Sequence, residues 1–283
     1  MNINNVGVVG SGLMGAGIVE TCAKSGYKVV VREINDQLLQ TGISRIAASL
    51  DKAVERGKLE KSARETAWKR IKGTTSLEDL AQSDLVIEAI PENMALKKDL
   101  FRTLDKLCPA HTILASNTSS LSITEIASAT RRPEQVIGLH FFNPVPVMPL
   151  LEIVRALLTN DITLDISISF GKALGKTTII AKDTPGFIVN LLLIPFLLDA
   201  VRVYEGGNAT KEDIDTGVKL GLNHPMGPLT LLDFVGLDTT LFVADAMYEE
   251  IKDSRYAAPP LLRRMVMAGR LGRKSGAGIY DYS

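Results

Sequence analysis

The sequence is poor in the residues that carry several common kinds of chemistry. Among 283 residues there are two cysteines, Cys22 and Cys108. Two isolated cysteines build neither a disulfide framework nor a four-ligand zinc site. There are three histidines, His111, His140 and His224. A metal enzyme would therefore lean on carboxylates; the sequence shows no clustered set of them, and no metal is expected. No charge of one sign dominates, since 32 Lys+Arg balance 32 Asp+Glu. A dedicated nucleic-acid binder usually shows a basic excess, so no nucleic-acid partner is expected, although zero net charge leaves room for a local basic patch. Long hydrophobic runs are missing too. The longest, residues 191–198 counting Pro195, is eight residues, against the roughly 18 that a membrane span needs. The opening Met1-Asn2-Ile3-Asn4-Asn5 carries no basic stretch, and Gly7 interrupts the apolar run that follows, so it does not read as a signal peptide. A cytoplasmic protein with no membrane partner is expected.

What is present describes an ordinary globular chain. Apolar residues make up 46% and charged residues 23%, which excludes a disordered chain and a coiled coil. At roughly 150 residues per domain the length suggests about two domains, with core enough to fold without staples.

The first part alternates. Residues 6–9, Lys28–Arg32, 85–89, Ile113–Ser116, 136–139 and 177–180 read as short buried strands. Residues 13–23 and 37–56 read as helices, the second with Leu38, Leu39, Ile43, Ile46, Leu50 and Val54 near helical spacing. Strand and helix alternating in this way predict a parallel sheet covered on both faces. At Asp183-Thr184-Pro185-Gly186 the pattern changes, and beyond it only helical runs stand out: 187–204, 211–219, 229–235, Leu237–Ile251 and 260–268. The first of these is apolar nearly all round and should be buried, with a kink at Pro195. The fold expected is α/β: an N-terminal Rossmann-type, mostly parallel sheet over 1–184, then an all-helical C-terminal domain over 185–283.

Gly10-Ser11-Gly12-Leu13-Met14-Gly15 is a G-x-G-x-x-G between a predicted strand and a predicted helix, the context a dinucleotide-binding turn requires. Gly10 allows the tight turn, Gly12 the approach of a pyrophosphate, and Gly15 close packing of helix on strand. The N–H groups of the first helical turn then face the phosphates. Glu33 follows Gly15 by 18 residues, at the end of the second strand. An acid there accepts from the ribose hydroxyls and repels a 2′-phosphate, which favours NAD over NADP, although Arg32 beside it could accommodate that phosphate. The plain alternatives are a glycine-rich connection that binds nothing and a solvated charge at a strand end.

Two further segments leave strands: Ala115-Ser116-Asn117-Thr118-Ser119-Ser120-Leu121 and Gly138-Leu139-His140-Phe141-Phe142-Asn143-Pro144. Ligands of open α/β sheets bind beyond the carboxyl ends of strands. A histidine there titrates near neutrality and could take the hydroxyl proton as a hydride leaves an alcohol carbon. On pattern alone it reads equally as a core histidine bonded to a backbone carbonyl.

Taken with Val86-Ile87-Glu88-Ala89, Pro185-Gly186-Phe187, Asn223-His224-Pro225-Met226-Gly227-Pro228 and Gly272-Arg273-Lys274-Ser275-Gly276, these motifs span almost the whole chain in order. The sequence thereby resembles the short-chain L-3-hydroxyacyl-CoA dehydrogenases, most of all the bacterial 3-hydroxybutyryl-CoA type. The resemblance implies an NAD-dependent oxidoreductase with His140 as catalytic base and Glu152 as the carboxylate that holds it. It implies Ser119 near the substrate hydroxyl and nicotinamide, and Asn190 orienting the substrate. It extends the cofactor contacts from Gly10, Ser11, Gly12, Leu13, Met14, Gly15 and Glu33 to Glu92, Lys97, Ser119, Asn143 and Lys274. It places Lys52 and Arg56 against coenzyme A, as substrate-binding cations, and the helical half in a homodimer. From the residues alone, Lys52, Arg56, Lys97 and Lys274 read as solvated lysines and arginines, and Asn190 as a helix polar group bonded to backbone. Glu152, among Leu150-Leu151 and Ile153-Val154, needs a partner whichever reading holds. His224 reads as part of a turn, and both cysteines as buried small side chains. Pro149 stands where a lysine is common in the family and Leu191 where an arginine is common, which bears on acyl-chain preference and coenzyme A affinity. The competing functions are a dehydrogenase of a free hydroxy or sugar acid, and a non-catalytic NAD-binding protein.

Overall fold

The computed structural model describes residues 2–282, which divide into two compact units at Asp183 and Thr184. In the first, β1 (Asn5–Val9), β2 (Lys28–Arg32), β3 (Ile71–Thr74), β4 (Leu85–Glu88), β5 (Ile113–Ser116), β6 (Val136–Phe141), β7 (Leu150–Arg155) and β8 (Thr177–Lys182) form one sheet in the order β3-β2-β1-β4-β5-β6-β7-β8. All neighbours run parallel except β6 and β7. Between them lie α1 (Leu13–Lys24), α2 (Asp36–Glu55), α3 (Lys61–Trp68), α4 (Met94–Leu107), α5 (Ile123–Ala127) and α6 (Asp161–Ala173).

The central strands are short, β-branched and buried on both faces, as helices on each side require. Three long helices start on asparagines whose side chains accept from the third helical N–H: Asn35 from Leu38, Asn93 from Leu96 and Asn160 from Thr163. Two strands, β3 and β7, were not marked by the sequence pattern. β3 lies at the sheet edge with Lys72 and Gly73 exposed, so its periodicity is diluted. β7 follows β6 after only the eight residues 142–149, too few for a crossover helix, so the chain must turn back antiparallel.

Two consequences position the site. β1 has β2 on one side and β4 on the other, so the strand order reverses there and a crevice opens at the carboxyl ends. Because β7 is antiparallel, its first residues lie at the same end as the last residues of β6.

From Thr184 on, the described residues form α7 (Val189–Glu205), α8 (Lys211–Gly221), α9 (Pro228–Val235), α10 (Leu237–Ile251) and α11 (Pro260–Met267), with isolated bridges near the end of the chain. Their core gathers Leu197, Leu198, Leu229, Leu232, Ala244 and Met247. α7 differs from expectation. It starts at Val189, because Phe187 sits in the left-handed region at φ 53°, and it is not buried all round: Leu192 is 70% exposed. The tail is wrapped on buried Asp233, which accepts from the Ile279 and Tyr280 amides and the Tyr282 hydroxyl. Among the described residues no helix is long and apolar enough to cross a membrane, and no His/Cys/Asp/Glu group could hold a metal.

Candidate active site

The glycine turn leaves β1 and enters α1. Gly10 has φ +97°, and a Cβ there would lie 2.5 Å from the Ala89 carbonyl oxygen. A Cβ on Gly15 would lie 1.9 Å from the Gly10 carbonyl oxygen, so the turn and the helix touch backbone to backbone. Gly12 is different: a Cβ there meets no protein atom within 4 Å. Its missing side chain therefore serves no packing and leaves the backbone open to an incoming group. Gly12 is also the N-cap of α1 and supplies no side-chain cap, so the first-turn N–H groups are left to donate to an anion.

Glu33 closes the turn from the side. Its Oε2 accepts from the Ser11 amide at 2.8 Å and the Ser11 hydroxyl at 3.0 Å, and its Oε1 from the Ile34 amide. A carboxylate fixed at this point suits ribose hydroxyls and opposes a 2′-phosphate. Arg32 is turned away, its Nε donating to the Thr75 carbonyl at 3.2 Å. The residues present thus fit NAD.

Across the crevice, β6 and β7 set His140 directly opposite Glu152 in the antiparallel register. Directly opposed side chains are the nearest that a sheet allows. His140 Nδ1 lies 2.6 Å from Glu152 Oε2, with the ring nearly buried and the carboxylate wholly so. The ring also packs on Phe142, centroids 4.5 Å apart. Asn117, in the turn after β5, accepts from the Phe141 amide at 3.0 Å, which ties the two strand-end segments together.

Ser119 sits in that turn, part-buried. Its amide donates to Glu92 Oε1 at 2.9 Å, and the Thr118 hydroxyl donates to the same oxygen. Glu92 Oε2 lies 3.0 Å from Lys97 Nζ. Lys97 departs from the solvated lysine that the sequence alone suggests: it is 1% exposed, with Nζ 2.6 Å from Glu88 Oε1. The reason is geometric, since the first turn of α4 faces the end of β4. Glu88 and Ser116, joined at 2.6 Å, and Thr118 are the residues of this cluster to which the sequence alone assigns no role. An acid inside an otherwise apolar strand was the signal available.

The remaining candidates lie elsewhere. Asn143 is exposed, beside Leu13 and Arg45 in a small cleft of about 90 Å³ between α1, α2 and the loop after His140. That loop is held by Lys176, another residue the sequence did not mark. Its buried Nζ donates to the Val145 and Met148 carbonyls at 2.6 and 2.7 Å, and burial lowers its pKa. Lys52 and Arg56 are exposed and do not line the cleft; Arg56 is the C-cap of α2 rather than part of it. In the second unit, Asn190 is the second residue of α7, and Lys274 is ion-paired with Asp238 at 2.6 Å. His224 is exposed and packs on Phe196, centroids 5.7 Å apart. Cys22 and Cys108 are buried.

The chain matches the family model for the NAD binding domain of 3-hydroxyacyl-CoA dehydrogenase over residues 5–184 and that for its C-terminal domain over residues 186–282. It is 47% identical to a 3-hydroxybutyryl-CoA dehydrogenase of Clostridioides difficile, over 98% of each chain. Its fold is similar to the crystal structure of M. tuberculosis FadB2, with a TM-score of 0.98 and 48% identity over the whole of both chains. It is also similar to the (S)-3-hydroxybutyryl-CoA dehydrogenase PaaH1 of Ralstonia eutropha, with a TM-score of 0.96 and 47% identity, again over both whole chains. With a phosphate turn that fits NAD and both family domains matched in order, the chain belongs to the 3-hydroxyacyl-CoA dehydrogenase family.

Proposed function

We propose that the protein oxidises the C3 hydroxyl of a short-chain L-3-hydroxyacyl-CoA, 3-hydroxybutyryl-CoA first among them, and reduces acetoacetyl-CoA in reverse. The observation that carries this reading is the buried 2.6 Å contact between His140 Nδ1 and Glu152 Oε2 at the carboxyl end of β6. Bound NAD supplies the acceptor for the hydride that leaves C3. With Nδ1 committed to Glu152, His140 takes the hydroxyl proton at Nε2. Glu152 fixes the tautomer and stabilises the imidazolium, as the aspartate of a Ser-His-Asp triad does. In the reducing direction the same histidine returns the proton to the oxygen. Ser119 donates to the substrate oxygen, and the turn that carries it is anchored by Glu92.

The roles of Asn190 in orienting substrate, of Lys52 and Arg56 in meeting coenzyme A, and of Asn143, Lys97 and Lys274 toward the cofactor rest on the resemblance. The similarity to 3-hydroxybutyryl-CoA dehydrogenases supports the four-carbon acyl group. A homodimer through the helical unit is supported by its exposed apolar side chains, Leu192, Phe234 and Met267 among them. An enzyme that draws on NAD and acyl-CoA pools fits a cytoplasmic setting.

The test is NADH oxidation with acetoacetyl-CoA, run beside NADPH and longer 3-oxoacyl-CoAs, for wild type and His140→Gln. Fast turnover with NADH, and a loss of about a hundredfold or more in the variant, is the expected result. No turnover with any acyl-CoA despite NADH binding would overturn the reading in favour of a free hydroxy acid or a non-catalytic role. Sedimentation at micromolar concentration that showed only monomer would overturn the dimer.

A further inference from the structure

Glu88 ends β4 with its side chain wholly inside the protein. A buried carboxylate at a strand end needs partners, and Glu88 has three. Its Oε1 accepts from the Ile90 amide at 2.7 Å and from Lys97 Nζ at 2.6 Å, and its Oε2 accepts from the Ser116 hydroxyl at 2.6 Å. Two routes lead on from there. One runs through Lys97 to Glu92, and Glu92 Oε1 receives the Thr118 hydroxyl and the Ser119 amide. The other runs through the Ser116 hydroxyl, which accepts from the Thr118 amide at 3.2 Å. Both end on Thr118, and the first reaches the Ser119 amide as well. The Thr118 hydroxyl accepts in turn from the Leu121 amide at 2.9 Å, so the turn is held by Glu92 directly and by Glu88 through Lys97 and Ser116.

The charges are as telling as the contacts. Two carboxylates share one ammonium: Lys97 Nζ donates to Glu88 and, at a longer 3.5 Å, to the Ile90 carbonyl, and it is ion-paired with Glu92 at 3.0 Å. Glu92 keeps some solvent contact, whereas Glu88 and Lys97 keep almost none. Removing the lysine would leave two facing carboxylates; removing Glu88's charge as well would leave one, with access to water.

We propose that Glu88, acting through Lys97 and Ser116, is a positioning residue for the Ser119 turn. It sets where the Ser119 side chain stands at the crevice, and Lys97 serves as the buried strut between the two acids. This rests on the reading above that Ser119 works on the substrate beside His140.

The experiment compares wild type, Glu88→Gln, Lys97→Met and the double variant in the acetoacetyl-CoA assay, with melting temperatures and circular dichroism alongside. Glu88→Gln is expected to lower kcat about tenfold while KM for acetoacetyl-CoA stays within about threefold. Lys97→Met is expected to lose about a hundredfold, and adding Glu88→Gln to it to restore about tenfold of that loss, because the uncompensated charge is gone. A packing role alone would lower the melting temperature without moving kcat well below it. The proposal is overturned if Glu88→Gln keeps kcat within twofold, or if the double variant loses the product of the two single losses. Should Lys97→Met not fold, Glu88→Gln and Ser116→Ala decide by the same kcat criterion. An inactive wild type would bring down the functional reading and this proposal together; an active wild type with unaffected variants would bring down only this one.

Discussion

Replacing Glu152 by glutamine isolates what its charge does. The change keeps the volume and leaves a hydrogen-bonding group opposite His140, so the strand register need not move. What disappears is the attraction between carboxylate and imidazolium, which exists only once the histidine has taken the proton. For charges about 4 Å apart at an effective dielectric of about 20, that attraction is about 4 kcal/mol. The neutral hydrogen bond that the amide retains is worth about 1 kcal/mol. The difference, about 3 kcal/mol, acts on the proton-transfer step and corresponds to a fall of somewhat over a hundredfold in kcat. KM for the acyl-CoA should change by less than about threefold, because the side chain is wholly buried and presents no surface to a ligand. The assay is steady-state oxidation of 3-hydroxybutyryl-CoA at saturating NAD, with circular dichroism to establish that the variant is folded. A kcat within fivefold of wild type would refute the reasoning, and with it the pairing of His140 and Glu152 as a catalytic unit.

Gly15→Ala places a methyl group 1.9 Å from the Gly10 carbonyl oxygen; the backbone must part, at a cost of about 1–3 kcal/mol, and both the melting temperature and NADH affinity by fluorescence titration should fall. Gly12→Ala meets nothing in the protein, so its melting temperature should hold while NADH affinity drops; equal stability and equal affinity would sink the phosphate-turn reading. Glu33→Ser removes the charge that faces the Ser11 turn, and the ratio of NADPH to NADH turnover should rise about tenfold or more; an unchanged ratio would show that Glu33 does not select the cofactor. Burial pushes the Cys22 thiol up to about 12 and the Cys108 thiol up to about 11. Both are therefore almost wholly protonated at pH 8, where thiolate is the reactive form. Neither should react with a disulfide reagent until the protein is unfolded, and rapid labelling of the native protein would contradict the packing around them.

Some of this protein was decided by short stretches of sequence. A strand, a tight turn and a helix start are local events, so the glycine motif could be placed from residues 6 to 23, and Lys28–Arg32, Ile113–Ser116 and Leu237–Ile251 stand where their patterns put them. Only β-branched runs and helical spacing were needed there, and both act over a few residues. The edge strand β3 and the returning strand β7 were not legible in that way, because pairing partners far along the chain, not their own periodicity, make them strands. The same holds for the site. The residues His140 and Glu152 stand out in sequence, but nothing local says that they face one another; the antiparallel register does. Lys97 reads as a solvated lysine, yet the tertiary structure buries it between Glu88 and Glu92. A side chain's charge is written in the sequence. Whether that charge meets water or a carboxylate depends on which elements pack together, and only the folded chain settles that.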